Sequence, residues 1–346
     1  MEPPSTEQRH REAIVARLKL LANLSVTGRQ TMTHSPHESI VQRDRDAARI
    51  GAAMGATPIG TETHTFEIHI LNGALSHHME TEQVDGNIAL QASPTMRRVV
   101  YGQDKVEQYV EFEGGKSRSG GIFATARRPD MFVDWAIGVR LADSEQWISP
   151  QDLDQWILRE RPDSMLQAEH VDINGVPHRM IFDPSAAYAL REYEVRRRDG
   201  GPPPIHVLCR DFVEVNGLQL PKSITVVRQY VMEGEPHVFL RSEMTIDDYR
   251  IGQNEPADLT MVWPPGISVF DQRDGRAYRV RDDGQLDLVA DPGGASSLDR
   301  DPSAPATGGT DRSAPWFAAA GATALTASII VVWNAKKQAS ARRAAC

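Results

Sequence analysis

The 346-residue sequence predicts a mainly β protein with flanking helices, built on an antiparallel sheet, plus one C-terminal transmembrane helix. Three observations favour this class. Apolar and polar residues alternate in several segments, Asn-Gly and Asp-Gly pairs recur between such segments, and one long uncharged run lies near the C-terminus. The net charge of −9 argues against a nucleic-acid binder, because such proteins need a basic surface to displace phosphate counterions. The two cysteines exclude a disulfide framework.

Composition divides the chain into five segments. Residues 1–60 are predicted to form an N-terminal helical region, 61–290 a β-rich domain, 291–313 a flexible linker, 314–335 a transmembrane helix and 336–346 a basic tail. The linker consists almost entirely of Pro, Gly, Ser, Ala, Thr, Asp and Arg. Such a composition buries too little apolar surface to become ordered.

Helices are expected at four places. Residues 6–23 carry apolar side chains at helical spacing, and 37–54 show a weaker apolar face. A third helix is expected at 129–137. A fourth is expected to begin at Ser149 and Pro150, a common start signal, and to continue through 151–160.

The β-rich domain shows the two-residue period of half-buried strands. Alternation is clearest in 65–70, 205–215, 223–231 and 237–247, where β-branched and other apolar residues share one face. These segments are therefore predicted to be strands.

Six Asn-Gly or Asp-Gly pairs punctuate this domain and are typical of tight hairpins, because both residues tolerate positive φ. They occur at 72–73, 85–86, 174–175, 216–217, 274–275 and 283–284. Hairpins at this spacing leave no room for the long crossovers of a parallel sheet, so the pairs predict antiparallel pairing.

The segment 314–335 has the features of a membrane anchor. It contains no charged residue, and its 22 residues would span about 33 Å as a helix, enough to cross a hydrocarbon core. Trp316 and Trp333 lie near its two ends, and Lys336 and Lys337 follow it directly. We assign these four residues to the membrane interface.

Two orientations of the anchor are open. The cations after the span favour a cytoplasmic tail and an extracytoplasmic body, which we expect. Residues 1–30 show no signal-peptide pattern, however, because Arg17 and Lys19 interrupt the most apolar stretch. A body held in the cytoplasm by a tail anchor is the alternative. A start site upstream of residue 1 would remove the conflict between the cations after the span and the missing signal-peptide pattern.

The segment 183–222 reads DPSAAYALREYEVRRRDG and then, from residue 206, HVLCRDFVEVNGLQLPK. Its RE-x-E stretch, V-N-G turn and LPK triplet resemble the LolA-like family of periplasmic lipoprotein carriers. The segment 264–280, PPGISVFDQRDGRAYRV, is similar to the ends of outlying members. The likeness extends loosely over 60–290. The residues at recurring positions are Arg191, Glu192, Asn216, Gly217, Pro221 and Lys222.

This resemblance implies a strongly curved, unclosed half-barrel whose open side is covered by helices around an apolar cavity for acyl chains. The chain is expected to depart from the family in three ways: it is tethered by an anchor and a long linker, residues 1–30 show no signal-peptide pattern, and a segment is added at 33–60. We expect Trp135, Trp147 and Trp156 to lie against the inner face of the sheet. The residues expected to line the cavity are Phe66, Ile68, Val110, Phe112, Ile224, Val226, Leu240 and Met244.

The sequence gives less support for a catalytic or metal site than for this cavity. His64 and His69 differ in parity, so one strand would place them on opposite faces and break the simplest metal geometry. We expect the cluster of His64, His69, His77 and His78 to be solvated strand histidines. Cys209 lies among apolar neighbours and is expected to be a buried thiol. The glycine-rich 114–121 lacks the spacing of a phosphate loop and is expected to be a hairpin loop. We expect neither metal nor cofactor.

These observations favour a membrane-anchored, non-catalytic domain that binds a hydrophobic or lipidated ligand, such as a lipoprotein or an acyl chain. A sensor or protein-interaction module, with a cavity filled by its own side chains, is the alternative. A hydrolase is disfavoured because no nucleophile-and-base pattern is visible. The sequence specifies neither the ligand nor the oligomeric state.

Overall fold

The computed structural model describes residues 4–42, 59–86, 94–102, 105–112, 117–124, 132–141, 148, 152–172, 174–232 and 234–290. The expected linker, transmembrane helix and basic tail lie outside these residues, together with Trp147, Trp316, Trp333, Lys336 and Lys337. Within the described residues, no helix has the length and apolar character needed to span a membrane.

The chain forms two compact units. The first comprises Met1–Ser35 and Ile59–Gly294, and it contains every strand that the structure describes and both hydrophobic clusters. The second comprises Pro36–Pro58 and Ala295–Cys346. Of this second unit only residues 36–42 are described, and 38–42 are helical; the remainder of the expected helix 37–54 lies outside the described residues.

The described part of the first unit contains two α-helices, α1 (Thr6–Leu21) and α2 (Phe132–Ala136). Short 3-10 helices lie at Asp152–Gln155, Pro184–Ala186 and Pro256–Leu259. The strands are β1 (Asn23–His34), β2 (Gly60–Leu71), β3 (Ala74–Gly86), β4 (Pro94–Tyr101), β5 (Val106–Phe112), β6 (Ser117–Phe123), β7 (Ile157–Glu160), β8 (Leu166–Val171), β9 (Pro177–Asp183), β10 (Ala189–Val195), β11 (Ile205–Val215), β12 (Leu218–Met232), β13 (Glu235–Ile251), β14 (Ser268–Asp271), β15 (Arg276–Val280) and β16 (Leu286–Ala290).

All strands join one sheet in the order β16-β15-β14-β6-β5-β4-β3-β2-β1-β13-β12-β11-β10-β9-β8-β7. Every neighbouring pair is antiparallel except β14 and β6, which are parallel. The two end strands, β16 and β7, do not pair with each other, so the described sheet is unclosed. The predicted antiparallel, mainly β architecture is confirmed.

One hydrophobic cluster shows that the sheet is curved. Side chains from strands as far apart in the order as β5 and β8 join a single buried cluster with α1 and α2. Helix α2, which is five residues long, lines a cavity with Arg97 of β4 and also contacts β10, and these two strands would lie about 34 Å apart in a flat sheet, several times the length of α2. The sheet therefore curves around the helices, and we call the face that meets them the inner face. Trp135 and Trp156 belong to this cluster, as expected.

The Asn-Gly turns behave as predicted at two positions. Asn72 and Gly73 have φ of 49° and 85°, and Asn216 and Gly217 have 50° and 78°. At Gly175, Gly275 and Gly284 only the glycine has positive φ. Those pairs therefore form longer turns than the two-residue hairpins, although the strands that they join are antiparallel.

The four predicted strands are confirmed, but three other expectations differ from the structure. The expected helical region 1–60 contains β1, a central strand between β2 and β13. The expected helix after Ser149 is wrong: a 3-10 turn leads into β7, because Ile157–Glu160 pair with the exposed edge of β8. The expected loop 114–121 becomes β6 from Ser117 onward.

A second cluster covers the opposite, outer face of β4–β6. Val100, Tyr109 and Ile122 pack there against Trp263 and Val269 from the C-terminal part of the unit. Glycine at position 120 permits this contact, since a Cβ there would lie 2.5 Å from the Trp263 ring. The 264–280 segment therefore covers the outer face and takes no part in the inner cluster.

Candidate functional site

A cavity of about 110 Å³ lies on the inner face, against α2. Strand register explains why its lining residues meet, because directly paired residues share a face. Phe66, Met79 and Arg97 are successive partners across β2, β3 and β4. Gly28 of β1 faces Phe66, and a Cβ there would approach the ring to 2.9 Å, so glycine leaves room for it. The lining residues are Gln30, Met32, Phe66, Ile68, His77, Met79, Arg97, Phe132, Val133 and Met244.

The structure brings three of the eight expected cavity residues together. Phe66, Ile68 and Met244 line the cavity. The others do not reach it: Ile224, Val226 and Leu240 are buried elsewhere in the inner cluster, and Val110 and Phe112 are half-buried on β5. Contact of any of the eight with a ligand stays a prediction.

Sequence reasoning missed the polar lining residues Gln30, His77 and Arg97. A search for alternating apolar residues passes over polar side chains at inward positions. Parity does contain the signal, since His77 follows buried Leu75 by two residues and Arg97 precedes buried Val99 by two.

Of the three polar side chains that line the cavity, one is hydrogen-bonded and two have a buried nitrogen without a partner among the described residues. The Gln30 side chain donates to Ser242 Oγ at 2.8 Å. His77 Nδ1 and Arg97 Nε are buried and have no hydrogen-bond partner among the described residues. Burial, and secondarily the Arg97 charge, lowers the pKa of His77 to about 3, while burial also lowers the pKa of Arg97. At neutral pH the imidazole is neutral, and the guanidinium keeps its charge.

Next to the cavity, Glu62 is held by two histidines. Its Oε1 lies 3.0 Å from His34 Nε2, and its Oε2 lies 3.4 Å from His64 Nε2. Burial alone would raise the pKa of Glu62, but the bonds from both histidines lower it to about 2. The carboxylate is therefore ionised at neutral pH and paired with both histidines, so it has no proton to donate as a general acid.

Cys209 is a buried thiol, as its neighbours predicted. Its Sγ donates to the Ala136 carbonyl oxygen at 3.4 Å, and burial raises its pKa to about 12. A thiol of this pKa stays protonated at neutral pH, which removes its nucleophilic form.

The histidines lie on opposite faces as their parity predicts, but the expectation of solvated strand histidines is wrong for His64 and His77, which are buried. His64 is buried on the inner face, whereas His69 lies on the outer face, 3.1 Å from Asn254 Oδ1.

Glu192, Glu194 and His206 are the one group with metal-ligand spacing among the described residues. Arg179 Nη2 already lies 2.8 Å from Glu192 and 2.7 Å from Glu194. The guanidinium thus occupies the cation position between the carboxylates, so this cluster forms an ion-pair network.

Acidification is expected to destabilise the first unit. Burial lowers the pKa of His77 to about 3 and that of His178 to about 4. The unfolded chain binds these protons near pH 6.5, but the folded chain does not. The free energy of unfolding should therefore fall between pH 6.5 and 4, by up to about 1.4 kcal/mol per pH unit for each histidine. Above pH 7 both imidazoles are neutral in the folded and in the unfolded chain, so neither makes the free energy of unfolding depend on pH.

Urea denaturation at pH 7.5 and pH 5.0 measures this dependence. His77→Gln should reduce the slope, whereas His78→Gln, on the half-exposed neighbour, should leave it unchanged. Equal stability of the parent chain at the two pH values would contradict the assignment of buried neutral imidazoles.

The chain matches no protein-family model, and no curated protein gives a significant match. Among solved structures it is similar to a DUF1329 family protein from Desulfovibrio piger, with 7% identity and a TM-score of 0.41 over 74% of this chain and 98% of that one. It is also similar to a LolA superfamily protein from Nitrosomonas europaea, with 8% identity and a TM-score of 0.39 over 72% and 97%. The second of these structures belongs to the superfamily that the motifs at 183–222 resemble. The likeness concerns the course of the chain alone.

Proposed function

We propose that this protein is a membrane-anchored, non-catalytic binding domain for a ligand with an acyl chain, such as a fatty acid or a lipidated protein. The observation that carries the proposal is the cavity on the inner face, whose lining is mostly apolar. Met32, Met79 and Met244 contribute to it. Methionine is unbranched and flexible, so this part of the lining adapts in shape.

Entry of a ligand requires the lining to move. The volume of about 110 Å³ equals the space of roughly four waters and lies below that of ordinary ligand pockets, about 300 Å³ or more. The short helix α2 supplies Phe132 and Val133 to the lining. One contact that holds it is the bond from Cys209 to Ala136. We propose that α2 shifts to admit the chain.

Titration with palmitate tests this function. The full chain in phosphatidylcholine nanodiscs should show a shifted tryptophan emission and a melting temperature raised by several degrees, because a ligand that binds only the folded state stabilises it. Met79→Trp should suppress the shift by filling the cavity. Met96→Trp is the matched control, because Met96 packs against the outer cluster. If palmitate changes neither quantity, the interaction module becomes the better explanation; the small cavity volume favours that alternative.

Removing residues 314–346 is expected to release the protein from membranes. The segment 314–335 is the longest uncharged apolar run of the sequence, and its insertion is what would hold the chain there. Fractionation after a carbonate wash measures the effect, with deletion of 336–346 alone as the control that keeps the span. A truncated chain that still pellets would show that the anchor lies elsewhere.

We further propose that the body is extracytoplasmic, because the lysines and arginines after the span favour a cytoplasmic tail. Protease added to spheroplasts should then digest the body and spare an epitope on the C-terminus. Protection of the body, with digestion only after lysis, would place it in the cytoplasm.

A further inference from the structure

We infer that the cavity binds the anionic head group of its ligand through Arg97, with His77 as a second donor, so that the ligand is a single-chain amphiphile with a carboxylate or phosphate head. This inference rests on the proposed function, because it names the ligand class of the same cavity. It stands on the geometry of two neighbouring strands and on the charges of the lining residues.

Arg97 is a cation that lines a mostly apolar cavity, and no acidic residue in the described part of the chain meets it. It faces Met79 across β4 and β3, and His77 lies diagonally on the same face. None of the described lining residues is acidic. Among the described residues Arg97 makes no hydrogen bond or ion pair, and its Nε is buried. The residue as a whole is half-buried, but leaving a guanidinium Nε excluded from solvent and unpaired is costly, and a ligand anion would offset part of that cost.

The two fully buried arginines do not fit this role. Arg140 is paired with Asp134 at 2.5 Å. Arg17 lies on α1 and does not line the cavity, and it donates to the Gln219 carbonyl oxygen at 3.4 Å. Arg97 therefore combines a buried, unpaired Nε, lack of an acidic partner among the described residues and access to the cavity.

His77 complements the guanidinium. A neutral imidazole carries one N–H donor and one acceptor, and His77 Nδ1 has no partner among the described residues. One carboxylate or phosphate could accept from Arg97 and from His77 together, in the charge-assisted bonds that arginine forms with such groups. The cavity volume suits an anionic head with its first methylene groups, and Phe66, Ile68 and Met244 would contact the chain.

Photolabelling of the full chain in phosphatidylcholine nanodiscs tests the inference. Three probes carry the same diazirine-bearing 16-carbon chain and differ only in the head: a carboxylic acid, a monoalkyl phosphate and a primary alcohol. Adducts are mapped by mass spectrometry to the peptides that contain Phe66 and Met79. We expect the preferred anionic probe to label these peptides at least fivefold more than the alcohol does, and the acid-to-phosphate ratio identifies the head.

Variants of neighbouring arginines supply the controls. Arg97→Met should reduce labelling by the anionic probe to the level of the alcohol, and Arg97→Lys should keep part of the preference. Arg98→Met should change nothing, because Arg98 faces away from the cavity and donates to the Thr260 carbonyl oxygen at 3.3 Å. If Arg97→Met loses its folded circular dichroism, the parent chain and Arg97→Lys decide the result.

The outcomes separate the two levels of the proposal. Equal labelling of the cavity by acid, phosphate and alcohol overturns the anionic-head inference and leaves acyl-chain binding intact. Absence of cavity adducts with all three probes overturns acyl-chain binding itself. A preference for an anionic probe that survives in Arg97→Met also overturns the role of Arg97.

Discussion

Replacing Trp135 by alanine is expected to lower the free energy of unfolding by about 3–5 kcal/mol, the range for large-to-small changes of buried aromatic residues. Trp135 lies in the second half of α2 and is fully buried. Its ring contacts Phe132 edge-on with centroids 5.2 Å apart, and the Arg140 guanidinium carbon lies 6.0 Å from its centroid. Because Phe132 lines the cavity, the same change should also loosen the cover of that cavity.

Chemical denaturation followed by far-UV circular dichroism measures the loss without relying on tryptophan emission. Trp135→Phe is the matched control. The indole Nε1 has no hydrogen-bond partner among the described residues, so phenylalanine leaves no new polar group unsatisfied. We expect this control to cost less than half as much as alanine. A loss below 1 kcal/mol for Trp135→Ala would show that α2 contributes little to the core.

The sequence predicted the sheet best where one face is uniformly apolar. β2, β11 and β12 show regular alternation because their inward side chains lie in the main core. β1 was hidden because its inward positions include Gly28 and Gln30, which suit the cavity and its register but break the apolar period. The strand β7 was mistaken for a helix because four residues with one exposed face carry too short a pattern to distinguish the two.

The candidate site was predictable only in part, for a related reason. Alternation identifies apolar inward positions such as Phe66 and Ile68, and these do line the cavity. It cannot show which part of a curved face a helix leaves uncovered, since that depends on where α2 packs. It also passes over Arg97 and His77, whose polarity resembles that of an outer face until strand pairing reveals their direction.

Replacing Arg17 by methionine is expected to raise the free energy of unfolding by about 2–3 kcal/mol. Arg17 lies on α1 and is only 3% exposed, yet its Nε and Nη2 have no partner among the described residues. Burial lowers its pKa from 12.5 to about 10, against smaller opposite effects of Cys209 and Tyr249. Keeping the group charged in the folded protein at pH 7 therefore costs about 3 kcal/mol. Methionine fills the same space as the arginine stem without that cost.

Urea denaturation at pH 7 measures the gain, with Arg9→Met on the exposed side of α1 as a control that should change stability by less than 0.5 kcal/mol. Arg17→Lys should not be stabilising, because lysine keeps the charge in the same apolar surroundings. A lower stability of Arg17→Met would mean that the long bond to Gln219 and the packing of the guanidinium outweigh the cost of burying the charge. An unchanged affinity for the anionic photoprobe is expected, since Arg17 does not line the cavity. Arg17 and Arg97 would then differ in their roles: the buried charge of Arg17 only lowers stability, whereas Arg97 is the one proposed to bind the ligand.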